Sequence, residues 1–274
     1  MASPPIARRT FIAVGAAAAG AMLSTTHAAA QGAGTPARTF LLVHGAYHGG
    51  WCWSRVAARL SAAGHRVIAP SLTGMGDRVH LSNPAITLDT HIRDIANIIE
   101  YEELERVVLV GHSYGGIVIT GVADRVAARL GRLVYLDAIV LRDGESWSTY
   151  HAPERRAALQ ALARANNNTW PKSKADAFGI TDALDKAWVD RHLTSFPHGP
   201  YEGTVRVGEA WRKLGKTYID CTQPAFTALS VWKDAIKKDL ANKHHDWRYH
   251  TLATGHDAMV TQPGPLAELL LAEA

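Results

Sequence analysis

Two patterns of apolar residues alternate along the chain. Short apolar runs occur at residues 39–43, 66–69, 107–112 and 133–136, and two more mixed stretches, 216–221 and 247–252, continue the series. Runs of this length predict strands, and strands apolar at almost every position predict burial on both faces of a sheet. Between the runs the spacing changes to three or four residues. Val56, Leu60 and Ala63 share one face of a helix over 53–63, which Gly64 stops. Ile92, Ile95, Ala96 and Ile99 share one face of a helix over 88–100. Further helices are expected over 115–129, 225–241 and 265–272. Strands alternating with helices predict an α/β fold, with a mostly parallel sheet of about six strands covered by helices on both faces. The alternation lapses between 143 and 213. That stretch carries Trp147, Trp170, Trp188 and Trp211 and helical segments near 153–165 and 181–193, and reads as an inserted helical cap.

One turn in this pattern carries chemistry. Gly111-His112-Ser113-Tyr114-Gly115 joins the strand at 107–112 to an apolar helix. Strand, G-x-S-x-G and helix, in that order, is the setting of a nucleophile elbow. A serine on so sharp a turn has strained dihedrals, and side chains two residues to either side would collide. Gly111 and Gly115 remove them. The turn lifts the Ser113 hydroxyl above the sheet and sets the first amides of the helix where a developing oxyanion would sit. Active sites in parallel sheets lie beyond the carboxyl ends of the strands. The loop 44–50, Ser113, Asp137 and His256 all fall there.

Composition adds limits. The 274 residues are 47% hydrophobic and 20% charged, which suits one large domain with a sizeable core. The formal charge is +4, and without Arg8 and Arg9, the charged residues of the first thirty, it is +2. So small and scattered a charge argues against nucleic acid as a partner. After residue 31 no run of 18 apolar residues occurs, so no membrane span is expected in the mature chain. Residues 1–30 read as an address. Arg8-Arg9-Thr10-Phe11-Ile12 has the form of a twin-arginine motif, followed by an Ala/Gly-rich apolar stretch and the small-residue site Ala28-Ala29-Ala30. The expectation is a cleaved twin-arginine-type signal, a periplasmic or secreted destination, and a mature domain over 31–274. A secreted disulfide scaffold would hold more cysteines than Cys52 and Cys221, so both are expected as buried free thiols.

The chain is similar to the α/β-hydrolases, and among them to the plant methyl esterase and hydroxynitrile lyase group and its bacterial relatives. The resemblance spans nearly all of 38–274. It rests on His44-Gly45-Ala46-Tyr47-His48-Gly49-Gly50-Trp51-Cys52-Trp53, on the elbow, and on Gly255-His256-Asp257-Ala258-Met259. It implies Ser113 as nucleophile, His256 as general base, and the amides of Ala46 and Tyr114 as oxyanion hole. The residues themselves agree. Serine is a poor nucleophile without an adjacent base, and histidine can take and return its proton. The order Ser, Asp, His along the chain suits this fold. The implied activity is that of an exported serine carboxylic-ester hydrolase acting on small esters, with no cofactor.

Two departures from the family pattern matter. Hydroxynitrile lyases carry a lysine directly after the catalytic histidine, where this chain has Asp257, and their first loop lacks the His-Gly-Ala form. Both points favour an esterase over a lyase on the same scaffold; a ligand-binding protein of this fold with little turnover is the second alternative. The plant esterases place their acid just after the strand at 216–221. Here that stretch reads Cys221-Thr222-Gln223-Pro224. Asp137, at the end of the strand beside the elbow strand, is the substitute, in the place where some haloalkane dehalogenases carry their acid. Asp220 is its rival.

Tyr47, His48, Trp51 and Trp147 are candidates for the wall of a substrate pocket, with His80 at its edge. His244-His245-Asp246 resembles a metal cluster but lies in a Lys-rich polar turn, and reads as solvated surface rather than a metal site. Gly74-Met75-Gly76 lacks the G-x-G-x-x-G pattern, so no nucleotide site is expected. The expected partner is a small-molecule ester, and the oligomeric state is open.

Overall fold

The structure, a computed structural model, describes residues 37–242 and 246–274. The expected signal segment and His244-His245 lie outside them. The strands are β1 Thr39–Val43, β2 Arg66–Ile68, β3 Val107–His112, β4 Leu130–Leu136, β5 Thr169–Trp170, β6 Phe196–Pro197, β7 Lys216–Cys221 and β8 Trp247–Leu252. The helices are α1 Ser54–Ala62, α2 Leu88–Tyr101, α3 Gly115–Val126, α4 Pro153–Ala165, α5 Ala183–His192, α6 Gly199–Glu202, α7 Glu209–Lys213, α8 Ser230–Ala241, α9 Ala258–Thr261 and α10 Pro263–Leu271.

Six strands form one sheet in the order β2-β1-β3-β4-β7-β8, every neighbouring pair parallel. After β1 the chain steps to one edge, and after β3 it steps the other way. The carboxyl ends of β1 and β3 therefore flank a switch point, where a crevice opens. Successive strand residues face opposite sides. Phe40, Leu42, Val108, Val110 and Leu136 pack with Val56 and Leu60 of α1 and Leu266 and Leu270 of α10. Leu41, Val43, Leu109 and Tyr135 pack with Ile95 and Ile99 of α2, Ile117 of α3, and Trp232 and Ile236 of α8. Both faces are covered, which is why the central strands β1 and β3 are apolar and buried nearly throughout, while the edge strands β2 and β8 are more polar and partly exposed.

Several boundaries differ from the spacing, each for a local reason. β4 begins at Leu130, because a register shift beside Val107 lets the strand pair past Gly131 and Arg132, which interrupt its apolar run. The helix after the elbow tightens into a 3-10 turn at Ala127–Arg129. α8 starts only at Ser230, after a 3-10 turn at Thr227–Leu229. The final helix is split into α9 and α10, and Pro263 opens the latter where its missing amide costs nothing. Between β4 and β7 lie α4 to α7 and one antiparallel ribbon, β5 with β6. Two residues per strand are too few for an alternation to show in sequence. Cys52 and Cys221 are free and buried. Among the described residues no helix is long and apolar enough to cross a membrane.

Candidate active site

At the end of β3 the backbone folds sharply into α3. Ser113 has φ 53°, a left-handed conformation unusual for a residue with a side chain. Neighbouring strands hold it there. Its amide donates to the Leu136 carbonyl at 3.2 Å, and its own carbonyl accepts from the amides of Gly116 and Ile139, each at 3.0 Å. The turn is so tight that a Cβ on Gly111 would lie 2.6 Å from the Gly115 carbonyl oxygen, and one on Gly115 would lie 2.7 Å from that of Val43. Ser113 keeps part of its surface open and lines the cavity above.

Across the crevice the loop after β1 is pinned by side chains. His44 Nδ1 donates to the Gly45 carbonyl at 2.8 Å, and its Nε2 accepts from the Leu72 amide at 2.9 Å. That pairing allows one tautomer, and burial drives the pKa of His44 down to about 3, so the ring is neutral. The Tyr47 carbonyl accepts from the Thr194 amide at 2.9 Å, which holds Tyr47 at φ 69°. The amides of Ala46 and Tyr114 face no acceptor among the described residues. Tyr114 is buried beneath α2. Its hydroxyl donates to His91 Nδ1 at 2.8 Å, while His91 Nε2 donates to the Thr73 carbonyl at 2.9 Å. Burial lowers His91 to about 4.

His256 follows β8 on the Gly255-bearing loop. Its Nδ1 donates to Asp137 Oδ2 at 2.6 Å, with both residues buried. The other oxygen, Oδ1, accepts from Lys233 Nζ at 2.6 Å and from the Cys221 amide at 3.2 Å. Asp220 is placed differently. Its Oδ1 takes Lys233 Nζ at 2.6 Å, and its Oδ2 takes the Tyr249 hydroxyl at 2.6 Å. The two acids weighed in the sequence are thus separated by one ammonium, and the one bonded to His256 is Asp137. Burial alone would depress Lys233, but the two carboxylates outweigh it and raise its pKa. Lys233 belongs to no motif. Its one signal was its position beside Trp232 and Ile236, on the face of α8 that turns inward.

Ser113 and His256 line one cavity of about 230 Å³. Trp147, Trp170, Phe178, Phe226, Trp232 and Leu229 make its wall largely apolar. Ala46, Tyr47 and His48 also reach it. Trp51 does not; its ring stacks on His48 at 5.5 Å and meets the edge of Trp188 at 5.1 Å, beside a separate surface cleft. His80 is exposed, away from the cavity. His112, His256 and Asp257 each bring a possible metal-ligand atom within 4.8 Å of the others. Two of these groups are committed elsewhere, because His256 Nδ1 donates to Asp137 and His112 Nε2 donates to the His256 carbonyl at 3.1 Å. Burial, first, and the neighbouring His256 and His48 rings hold His112 well below the ordinary histidine range.

Residues 40–269 match the profile of the Alpha/beta hydrolase family. The chain is 38% identical over 245 residues to a carbendazim hydrolyzing esterase of Nocardioides sp. (strain SG-4G), a match covering 85% of this chain and 98% of that protein. It is 38% identical over 102 residues to an alpha-hydroxynitrile lyase of Arabidopsis thaliana, covering 37% of this chain and 40% of the lyase. An extracellular alpha/beta-hydrolase from a Paenibacillus species, described as sharing structural and functional homology with tobacco salicylic acid binding protein 2, aligns at TM-score 0.71. That alignment covers 86% of this chain and 99% of the other at 22% identity, and speaks for the fold alone.

The ammonium between the two acids yields a stability prediction. Lys233→Met removes the close cation from two buried carboxylates, leaving Asp220 with only Lys237 Nζ at 3.7 Å, and should cost about 3–5 kcal/mol, read as a lower urea midpoint at unchanged m. Adding Asp220→Asn should recover part of the loss, because one uncompensated charge is then removed.

Proposed function

The chain belongs to the alpha/beta hydrolase family, and we propose that it is a serine carboxylic-ester hydrolase that passes its substrate's acyl group through Ser113. One observation carries the reading: the elbow serine and a histidine bonded to a buried carboxylate at 2.6 Å open into the same cavity. Ser113 Oγ attacks the ester carbonyl carbon while His256 Nε2 takes its proton. Asp137 keeps the opposite nitrogen protonated and balances the imidazolium that forms. The negative oxygen of the tetrahedral intermediate accepts from the amides of Ala46 and Tyr114, which have no other partner to give up. The alcohol then leaves with the proton held on His256. Water, deprotonated by the same nitrogen, attacks the acyl-serine and releases the acid.

The Ser113 hydroxyl has no hydrogen-bond partner among the described residues. Such contacts commonly close only once substrate is bound. The aromatic wall suits a flat or alkyl acyl group of modest size. The residue after His256 supports hydrolysis over lyase chemistry, because Asp257 stands where a lyase has its lysine. The Nocardioides relative's name makes carbendazim a compound to include in a panel of methyl and aryl esters.

Ser113→Ala should lower kcat for p-nitrophenyl acetate by about 10⁴- to 10⁶-fold with the fold intact. A phosphonate should add its mass to the parent chain at Ser113 and leave this variant unlabelled. Near-normal turnover by Ser113→Ala would sink the assignment.

Asp137→Asn keeps the shape but not the charge, and should cost about 10⁴ in kcat. Asp220→Asn should keep kcat close to the parent and show its effect in stability. Measured side by side, a reversal of these two results would move the acid to β7.

We also propose export by the twin-arginine route, supported by Arg8-Arg9 and Ala28-Ala29-Ala30. Exported protein should begin near Gln31 on N-terminal sequencing, and replacing both arginines by lysine should keep it inside the cell. Exported chains that begin at Met1 or Ala2 would refute cleavage.

A further inference from the structure

One polar pair beside the cavity has no part in the steps above. His48 and Asp257 are 209 positions apart in sequence, and both are almost wholly buried. His48 Nδ1 lies 2.8 Å from the Ala46 carbonyl oxygen, and its Nε2 lies 3.0 Å from Asp257 Oδ2. A carbonyl and a carboxylate can only accept. Both ring nitrogens must therefore donate, which makes the ring an imidazolium.

We infer that the His48–Asp257 ion pair is a positioning device that ties the oxyanion loop to the loop of the general base. The inference rests on the serine-hydrolase reading. Its geometry is specific. Ala46 is held through the carbonyls on both sides of it: Gly45 O accepts from the neutral His44 ring, and Ala46 O accepts from the charged His48 ring. The peptide that carries the Ala46 amide is thereby fixed in orientation. At its far end the His48 ring grips Asp257, the residue joined directly to His256. One rigid ring thus sets the spacing between the oxyanion donor and the proton acceptor, and small errors in that spacing cost rate. The ring has little room to turn, since Trp51 stacks on it at 5.5 Å and Phe178 meets it edge-on at 4.9 Å.

The surroundings are consistent with a charge here. Burial alone would strip the proton from His48, but the Asp257 carboxylate and the Ala46 carbonyl outweigh it and hold its pKa above the ordinary value. The other titratable groups packed near His48 are His44, His112 and Cys52. Burial keeps the first two neutral and pushes the thiol of the third up. His256 lies one residue beyond Asp257. Among the described residues Asp257 Oδ1 is buried without a hydrogen-bond partner, and Nε2 of the neutral His112 ring is 3.8 Å away. His48 is therefore the counter-charge on which Asp257 depends.

The test has two arms, both on the mature enzyme. In ¹⁵N-histidine NMR at neutral pH, above the ordinary histidine value of about 6.5, with the signal assigned by its loss in His48→Gln, both ring nitrogens of His48 should be protonated. A neutral single tautomer would overturn the inference. The kinetic arm uses Asp257→Asn, with circular dichroism to confirm folding. Oxyanion contacts strengthen in the transition state, so kcat for p-nitrophenyl acetate should fall about 10- to 100-fold with KM nearly unchanged. The sign of the pH effect follows from the raised pKa. The parent should hold full kcat while His48 is charged and lose it as rising pH removes that proton. Asp257→Asn should lack this alkaline limb and stay low throughout, and Asp257→Glu should recover part of the rate. Full kcat in Asp257→Asn, or a loss confined to KM, would overturn the inference. An enzyme silent toward every ester would count against the Ser113 reading instead, and the NMR result would then decide the charge on its own.

Discussion

The Asp137 carboxylate is withdrawn from solvent and takes donors from three distant parts of the chain: the His256 ring, the Lys233 ammonium and the Cys221 amide. An ionised carboxylate in such a place is very costly unless it is paired and bonded. Here both oxygens are engaged. The arrangement orients the His256 ring, and it also binds together the end of β4, the end of β7, the inner face of α8 and the loop after β8. Moving any one of them would expose a buried charge to an apolar surround.

A second regularity concerns histidine. His44, His91, His112, His48 and His256 lie close to one another, yet their rings face different partners. His44 and His91 each receive one hydrogen bond and give one, and burial keeps them neutral. His48 faces two acceptors and holds two protons. His256 faces a carboxylate on one nitrogen. The partner atoms on each ring decide what that ring can do.

Much of the fold and part of the site were legible in the sequence. The doubly covered sheet follows from strands alternating with amphipathic helices, and the elbow from glycines where no Cβ would fit. Asp137 was legible as a carboxylate at the end of a strand with no rival beyond β7. The remainder depended on which distant groups meet. Lys233 looks like one of several lysines on an amphipathic helix until its face is known. His48 and Asp257 are each adjacent to recognised residues, but nothing local says that they pair. Trp51 sits in the most recognisable loop of the chain, yet its ring turns toward α5 instead of the cavity. Backbone periodicity is written locally, whereas partners for buried charge are chosen by tertiary packing.

Every group proposed to act on the ester bond hangs from the carboxyl end of a sheet strand or from the turn beyond it. Much of the wall that a substrate would touch comes instead from the stretch between β4 and β7, through Trp147, Leu159, Trp170 and Phe178. The two roles fall largely on separable lengths of chain, with Phe226, Leu229 and Trp232 adding to the wall from beyond β7. Diversification of substrate range can therefore proceed by rewriting the intervening segment, through substitution, recombination or laboratory grafting, while the reaction itself stays encoded in a frame that such changes do not enter.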